Sequence, residues 1–104
     1  MDDLKQTLLN AIATIDQLEI RPSVVAGGVE LFCRNKSIGH FHSDHELDLK
    51  LSKKVIQTQG LQHSPHSLFH PKRTTNSPWI EIRFFHQDDI ERVVTLIKIA
   101  MSLS

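Results

Sequence analysis

The sequence predicts an α+β domain: an antiparallel sheet of four or five strands, with an N-terminal and a C-terminal helix packed on one of its faces. Three observations carry that prediction. Apolar residues recur at helical spacing at both ends of the chain, at Leu4, Leu8, Ile12, Ile15 and Leu18 and again at Ile90, Val93, Val94, Ile97 and Met101. Between the ends the pattern changes to apolar–polar alternation in short segments separated by Gly, Asn, Ser and Asp. The whole chain is 104 residues, which fits one domain, 1–104, in the usual range of about 50–250.

Taken in order, Asp2 or Asp3 can cap the first helix, whose apolar stripe runs to Leu18. Pro22-Ser23 leads into a short strand at Val24-Val25, and Gly27-Gly28 supplies a turn. Val29 to Arg34 is a strand, Asn35-Lys36 a two-residue turn, and Ser37 to His42 the next strand. Ser43-Asp44 is the following turn. From His45 to Leu51 the chain alternates again, with Leu47, Leu49 and Leu51 opposed to Glu46, Asp48 and Lys50. Ser52 can cap a short helix that ends near Gln59, with Gly60 as its C′ stop. Leu61 to Pro78 is rich in His, Pro, Ser and Thr and reads as a long loop, the kind that often carries function. Trp79 to Phe85 is a strand in which Ile80, Ile82 and Phe84 alternate with Glu81 and Arg83, and the last helix starts at Gln87 or Asp88.

Composition narrows the function classes. Twelve basic residues balance twelve acidic ones, so the basic footprint of a nucleic-acid binder is missing; Lys72-Arg73 reads as a solvated loop pair. The single cysteine, Cys33, excludes an internal disulfide and any zinc site built on paired cysteines. It lies in an apolar strand and reads as an inert buried thiol. No secretory pattern opens the chain, and no apolar run approaches the ~18 residues of a membrane span. A cytoplasmic protein without membrane or nucleic-acid partners is expected.

Chemistry concentrates in the histidines. There are seven, and all but His86 lie between His40 and His70. Histidine changes charge near neutral pH and is the commonest metal ligand. Pairing the central strands through two-residue loops sets Leu31 opposite His40, Val29 opposite His42, and His42 opposite His45. That register collects Val29, Leu31, Cys33, Ile38, Leu47 and Leu49 on one face and places His40, His42 and His45 at its end. Phe32 and Phe41 then fall on the other face with Glu30, Arg34, Ser37, Asp48 and Lys50. Asp48 is expected to be solvated there, and Asp44 to serve the turn. His66 and His70 read as surface loop residues, His86 as local structure and Trp79 as a packing anchor. Ser64 lies in no nucleophile-elbow pattern.

The run Gly28-Val29-Glu30-Leu31-Phe32, then Ile38-Gly39-His40-Phe41-His42, Asp44, Asp48, a short helix ending at Gly60, His63, Trp79 and Asp88-Asp89-Ile90 resembles the small "luciferase domain" family of bacteria and fungi. The resemblance implies an α+β fold and a site at His40, His42 and His63. The family's label does not imply light emission.

Two readings of function follow. In the first, His40, His42 and His63 bind a small-molecule ligand. They act as catalytic groups, one imidazole as a general base oriented by another, or they hold zinc or a similar divalent metal. In the second, the chain is a non-catalytic interaction module or homodimer, with Phe32 and Phe41 exposed as the contact.

Overall fold

The computed structural model describes residues 3–22, 28–61 and 77–104. The elements run α1 (Leu4–Ile12), β1 (Leu18–Pro22), β2 (Val29–Cys33), β3 (Lys36–Ser43), β4 (Glu46–Lys50), α2 (Lys53–Thr58), β5 (Trp79–Arg83) and α3 (Asp89–Leu103). The five strands form one antiparallel sheet in the order β1-β2-β3-β4-β5, each strand beside its neighbours in sequence. The fold is α+β, as the alternating patterns predict. None of the described helices is long and apolar enough to cross a membrane.

One face of the sheet carries the core. Helix α1 starts where Asp3 accepts a hydrogen bond from the Gln6 N–H at 3.0 Å, satisfying a donor the first turn leaves over. It buries Leu4, Leu8 and Ile12. Helix α3 buries Ile90, Val93, Leu96, Ile97 and Ala100. Both stripes close over Leu31, Cys33, Phe41, Leu47, Leu49, Ile80 and Ile82 in a single cluster. Phe84, just beyond β5, meets Phe41 edge-on at 6.2 Å between ring centres. Cys33 is buried beneath α3, its sulfur 4.0 Å from the Met101 carbonyl oxygen.

Three details depart from the sequence expectation. First, α1 stops at Ile12, and Leu18 opens strand β1, paired with Cys33. Ile15 and Leu18 still pack against the core, so their helical spacing is satisfied without a helix. The chain reverses at Gln17, with φ 69°. The short strand expected at Val24-Val25 lies outside the described residues, as does Gly27. Second, both tight turns sit one residue from where they were expected. The first is Arg34-Asn35, both with positive φ (51° and 67°), the geometry of a two-residue hairpin turn. The second is Asp44-His45, between paired Ser43 and Glu46.

Third, β3 is bulged twice. Its register against β2 shifts between Ser37↔Phe32 and Gly39↔Leu31, leaving Ile38 as an extra residue. Against β4 it shifts again between Phe41 and Ser43, at His42. Moving a turn by one residue at each end preserves which side chains share a face, but one extra residue reverses it. Ile38 and Phe41 are three apart, so an unbroken strand would bury one and expose the other. With the bulge both are buried, at 2% exposure each. Burying a phenylalanine contributes about 1.5–3 kcal/mol, and the histidines on either side of it then turn to the opposite face.

Helix α2 is fixed at both ends. Ser52 accepts from the Val55 N–H at 3.3 Å, and Gly60 follows with φ +67°. The backbone N–H groups of Leu51 and Ser52 both donate to the Pro78 carbonyl, at 2.8 and 3.1 Å. That clamp ties the end of β4 to the start of β5.

Candidate functional site

The polar face of the sheet gathers the side chains that alternate with the core. In antiparallel strands, residues directly opposite share a face. His40 is opposite Asp48, Asp48 is opposite Glu81, and Glu46 is opposite Arg83. Three strands therefore deliver His40, Asp48, Glu46, Glu81 and Arg83 to one patch. His42, the extra residue of the second bulge, joins them: its ring lies 4.7 Å from that of His40, centre to centre. Trp79 forms the neighbouring wall, 5.7 Å from the His40 ring.

The contacts pair each histidine with a carboxylate. His40 Nε2 lies 3.7 Å from Asp48 Oδ2, an ion-pair distance rather than a hydrogen bond. His42 Nδ1 lies 3.3 Å from Glu46 Oε1, and the Arg83 Nε–H donates to the other Glu46 oxygen at 3.3 Å. Burial is uneven across the patch: the Asp48 side chain is 1% exposed and that of His42 6%, whereas His40 is 30% and Arg83 43% exposed. Two sets of ligand atoms come within 4.8 Å of one another, His40–His42–Asp48 and His42–Glu46–Glu81, with His42 common to both.

Burial pushes the Glu46 carboxyl up from 4.5 to about 7, and the Glu81 carboxyl beside it adds to the rise through a hydrogen bond and like charge. Arg83 opposes the shift without cancelling it. Two carboxyls this close favour sharing a proton over both ionising. Glu46 is thus a buried acid whose proton is exchangeable near neutral pH.

Against the sequence expectation, His40 and His42 are brought together, but on the polar face rather than at the end of the apolar one. The reason is the bulge at Ile38. His45 is not with them. It occupies the β3–β4 turn, its Nδ1 3.0 Å from the Phe84 carbonyl oxygen and its ring stacked on Phe85 at 5.3 Å. His63, His66 and His70, with Ser64 and Lys72-Arg73, lie outside the described residues. Asp48, expected to be solvated, is buried against His40. Phe41, expected outside, is in the core. Glu46, Glu81 and Arg83 were not singled out at all. Their signal was the alternation of Glu46-Leu47-Asp48 and Glu81-Ile82-Arg83, two charged positions flanking one apolar residue in each of two strands. The pattern places all four on one face but does not say that histidines stand opposite.

Comparison with known proteins follows the same residues. The family model of the luciferase domain matches residues 35–100, a span that begins at the β2–β3 turn and ends inside α3. Neither the curated proteins nor the solved structures give a significant match. The matched span holds every member of the histidine–carboxylate patch and covers well over half of the sequence; the chain belongs to the luciferase domain family.

Proposed function

We propose that the polar face of the sheet binds a divalent transition metal, with His40, His42 and Asp48 as its protein ligands. One observation carries the reading: three donor atoms from two adjacent strands lie within 4.8 Å of one another. Two imidazoles and one carboxylate suit zinc or iron, and a three-ligand set leaves positions for water or a small-molecule ligand. Glu46 fits the same scheme. A histidine that ligates through one nitrogen commonly donates its other N–H to a carboxylate, which fixes the ring. Here the His42 Nδ1–H can donate to Glu46, so His42 would ligate through Nε2. His63, the third histidine of the sequence expectation, is proposed as a further ligand. A metal in such a site would act as a Lewis acid or lower the pKa of bound water.

A second reading has one observation in its favour. Glu46, with a pKa near 7 beside His42, has the properties of a general acid or base without any metal. The self-association reading loses support, because it rested on Phe32 and Phe41 together. Phe41 is buried, and the Arg21 guanidinium lies over the Phe32 ring at 4.5 Å.

Zinc titration of untagged, chelator-treated protein separates the two. The metal reading expects one equivalent bound and, at a hundredfold excess over Kd, stabilisation by about 2.7 kcal/mol. It also expects His40→Ala and His42→Ala each to weaken binding at least tenfold. A protein that ignores zinc, iron and manganese, or a His40→Ala, His42→Ala double variant that binds as well as the parent, refutes it.

A further inference from the structure

The polar face carries a second group of donor atoms, and an arginine stands against it. His40–His42–Asp48 and His42–Glu46–Glu81 each bring their donor atoms within 4.8 Å, and His42 belongs to both. By distance alone the second group could hold a cation as readily as the first. Strand register sets it apart, because Glu46 is directly opposite Arg83. The Arg83 Nε–H donates to Glu46 Oε2 at 3.3 Å, and Glu46 Oε1 lies 3.3 Å from His42 Nδ1. One oxygen of the central carboxyl thus holds the guanidinium and the other holds the shared histidine. The positive charge is held there by the backbone, since residues paired across adjacent strands keep their Cβ atoms about 4.5–5.5 Å apart. It is also permanent: a guanidinium does not deprotonate in proteins, whereas a histidine does so near neutral pH.

We infer that Arg83 limits this face to a single metal ion, its guanidinium standing in for a cation at the His42–Glu46–Glu81 group. The inference rests on the metal reading above and deepens it. A divalent ion that shared Glu46 would lie within a few ångströms of the fixed charge, where neither bulk water nor salt screens the repulsion well. It would also have to take from His42 and Arg83 the oxygens they already hold. The arrangement therefore excludes two-metal chemistry, in which paired ions about 3.5–4 Å apart clamp the attacking and leaving oxygens. What is left is one Lewis acid at His40–His42–Asp48, with Glu46 kept as the group that orients His42. Arg83 is a specificity-determining residue here, acting through Glu46 and touching no metal itself.

Zinc stoichiometry tests this, measured by calorimetric titration of untagged, chelator-treated protein. Arg83 is exposed at the end of β5, so replacing it opens no cavity in the core, and far-UV circular dichroism checks the fold of each variant. The parent should bind one equivalent. Arg83→Leu and Arg83→Gln, which both drop the charge, should bind two, and Arg83→Lys, which keeps it, should bind one. Adding Glu81→Gln to Arg83→Leu should return the count to one. A pair of variants lacking the first group gives an independent reading: His40→Ala with Arg83→Leu should bind zinc at least tenfold more tightly than His40→Ala alone. Two equivalents on the parent or on Arg83→Lys, one on both charge-free variants, or no gain in the His40→Ala background would each overturn the inference. A parent that binds no zinc refutes the metal reading instead, and the His40→Ala pair then decides this one.

Discussion

Truncation of Phe41 measures the bulge that sets the site. Its side chain is 2% exposed and meets Phe84 at 6.2 Å with the rings at 89°. Phe41→Ala should cost about 3–5 kcal/mol, the usual range for a buried phenylalanine. Phe32 is the control, because an unbulged strand would leave both rings on the polar side and make their costs equal. Phe32 is only half-buried, and its partner is the Arg21 guanidinium at 4.5 Å. Phe32→Ala should cost about 1–2 kcal/mol from partial burial and a cation–π contact of ~0.5–1 kcal/mol. Urea unfolding followed by far-UV circular dichroism reads both. A domain this size has only about 5–15 kcal/mol of stability, so Phe41→Ala can lie near the edge of folding. Phe41→Leu keeps most of the apolar volume and loses chiefly the edge-to-face contact. It should cost ~1 kcal/mol and lower Tm by about 4–8 °C. Equal costs for Phe41→Ala and Phe32→Ala, or a Phe41→Leu variant as stable as the parent, would refute the bulged register.

Two further predictions probe the same frame. A Cβ added at Gly28 would sit 2.8 Å from the Phe41 carbonyl oxygen, so Gly28→Ala should destabilise by about 1–3 kcal/mol through overpacking, read by thermal unfolding. The Glu46 carboxyl is pushed up from 4.5 to about 7 by burial and by Glu81. A raised carboxyl pKa contributes stability that is complete below the unfolded value and lost as pH rises through the folded one. Chelator-treated protein should therefore lose stability from this group between pH 4.5 and 7, and Glu46→Gln should flatten that part of the profile.

The elements were legible where periodicity and burial agree. The leucines of β4 and the isoleucines of β5 alternate with charges, and the helix stripes at Leu4–Leu8–Ile12 and Ile90–Val93–Ile97 point one way only. What misled was β3, where Ile38 and Phe41 have odd separation. A regular strand leaves Phe41 as an exposed exception. The fold instead inserts an extra residue, because a local break in the ladder is tolerated more easily than an exposed aromatic ring. That choice is made by packing against Phe84, more than forty residues away, and no local pattern reports it. A regular strand sets His40 and His42 with His45 at the end of the apolar face; the bulged one brings His40 and His42 together on the polar face and leaves His45 in the turn. Its acidic partners followed the same error: Asp48 was judged solvated only because the histidines were placed elsewhere.

His40, His42, Glu46 and Asp48 all come from a single hairpin, β3–β4, closed by a two-residue turn. Hairpins of this kind zip in about 1–10 μs, well before distant segments must meet. Four of the patch's polar groups can therefore be juxtaposed by local pairing alone, without the distant strand β5. The strand offset that brings these groups together is thus a local property of one hairpin rather than of the whole sheet.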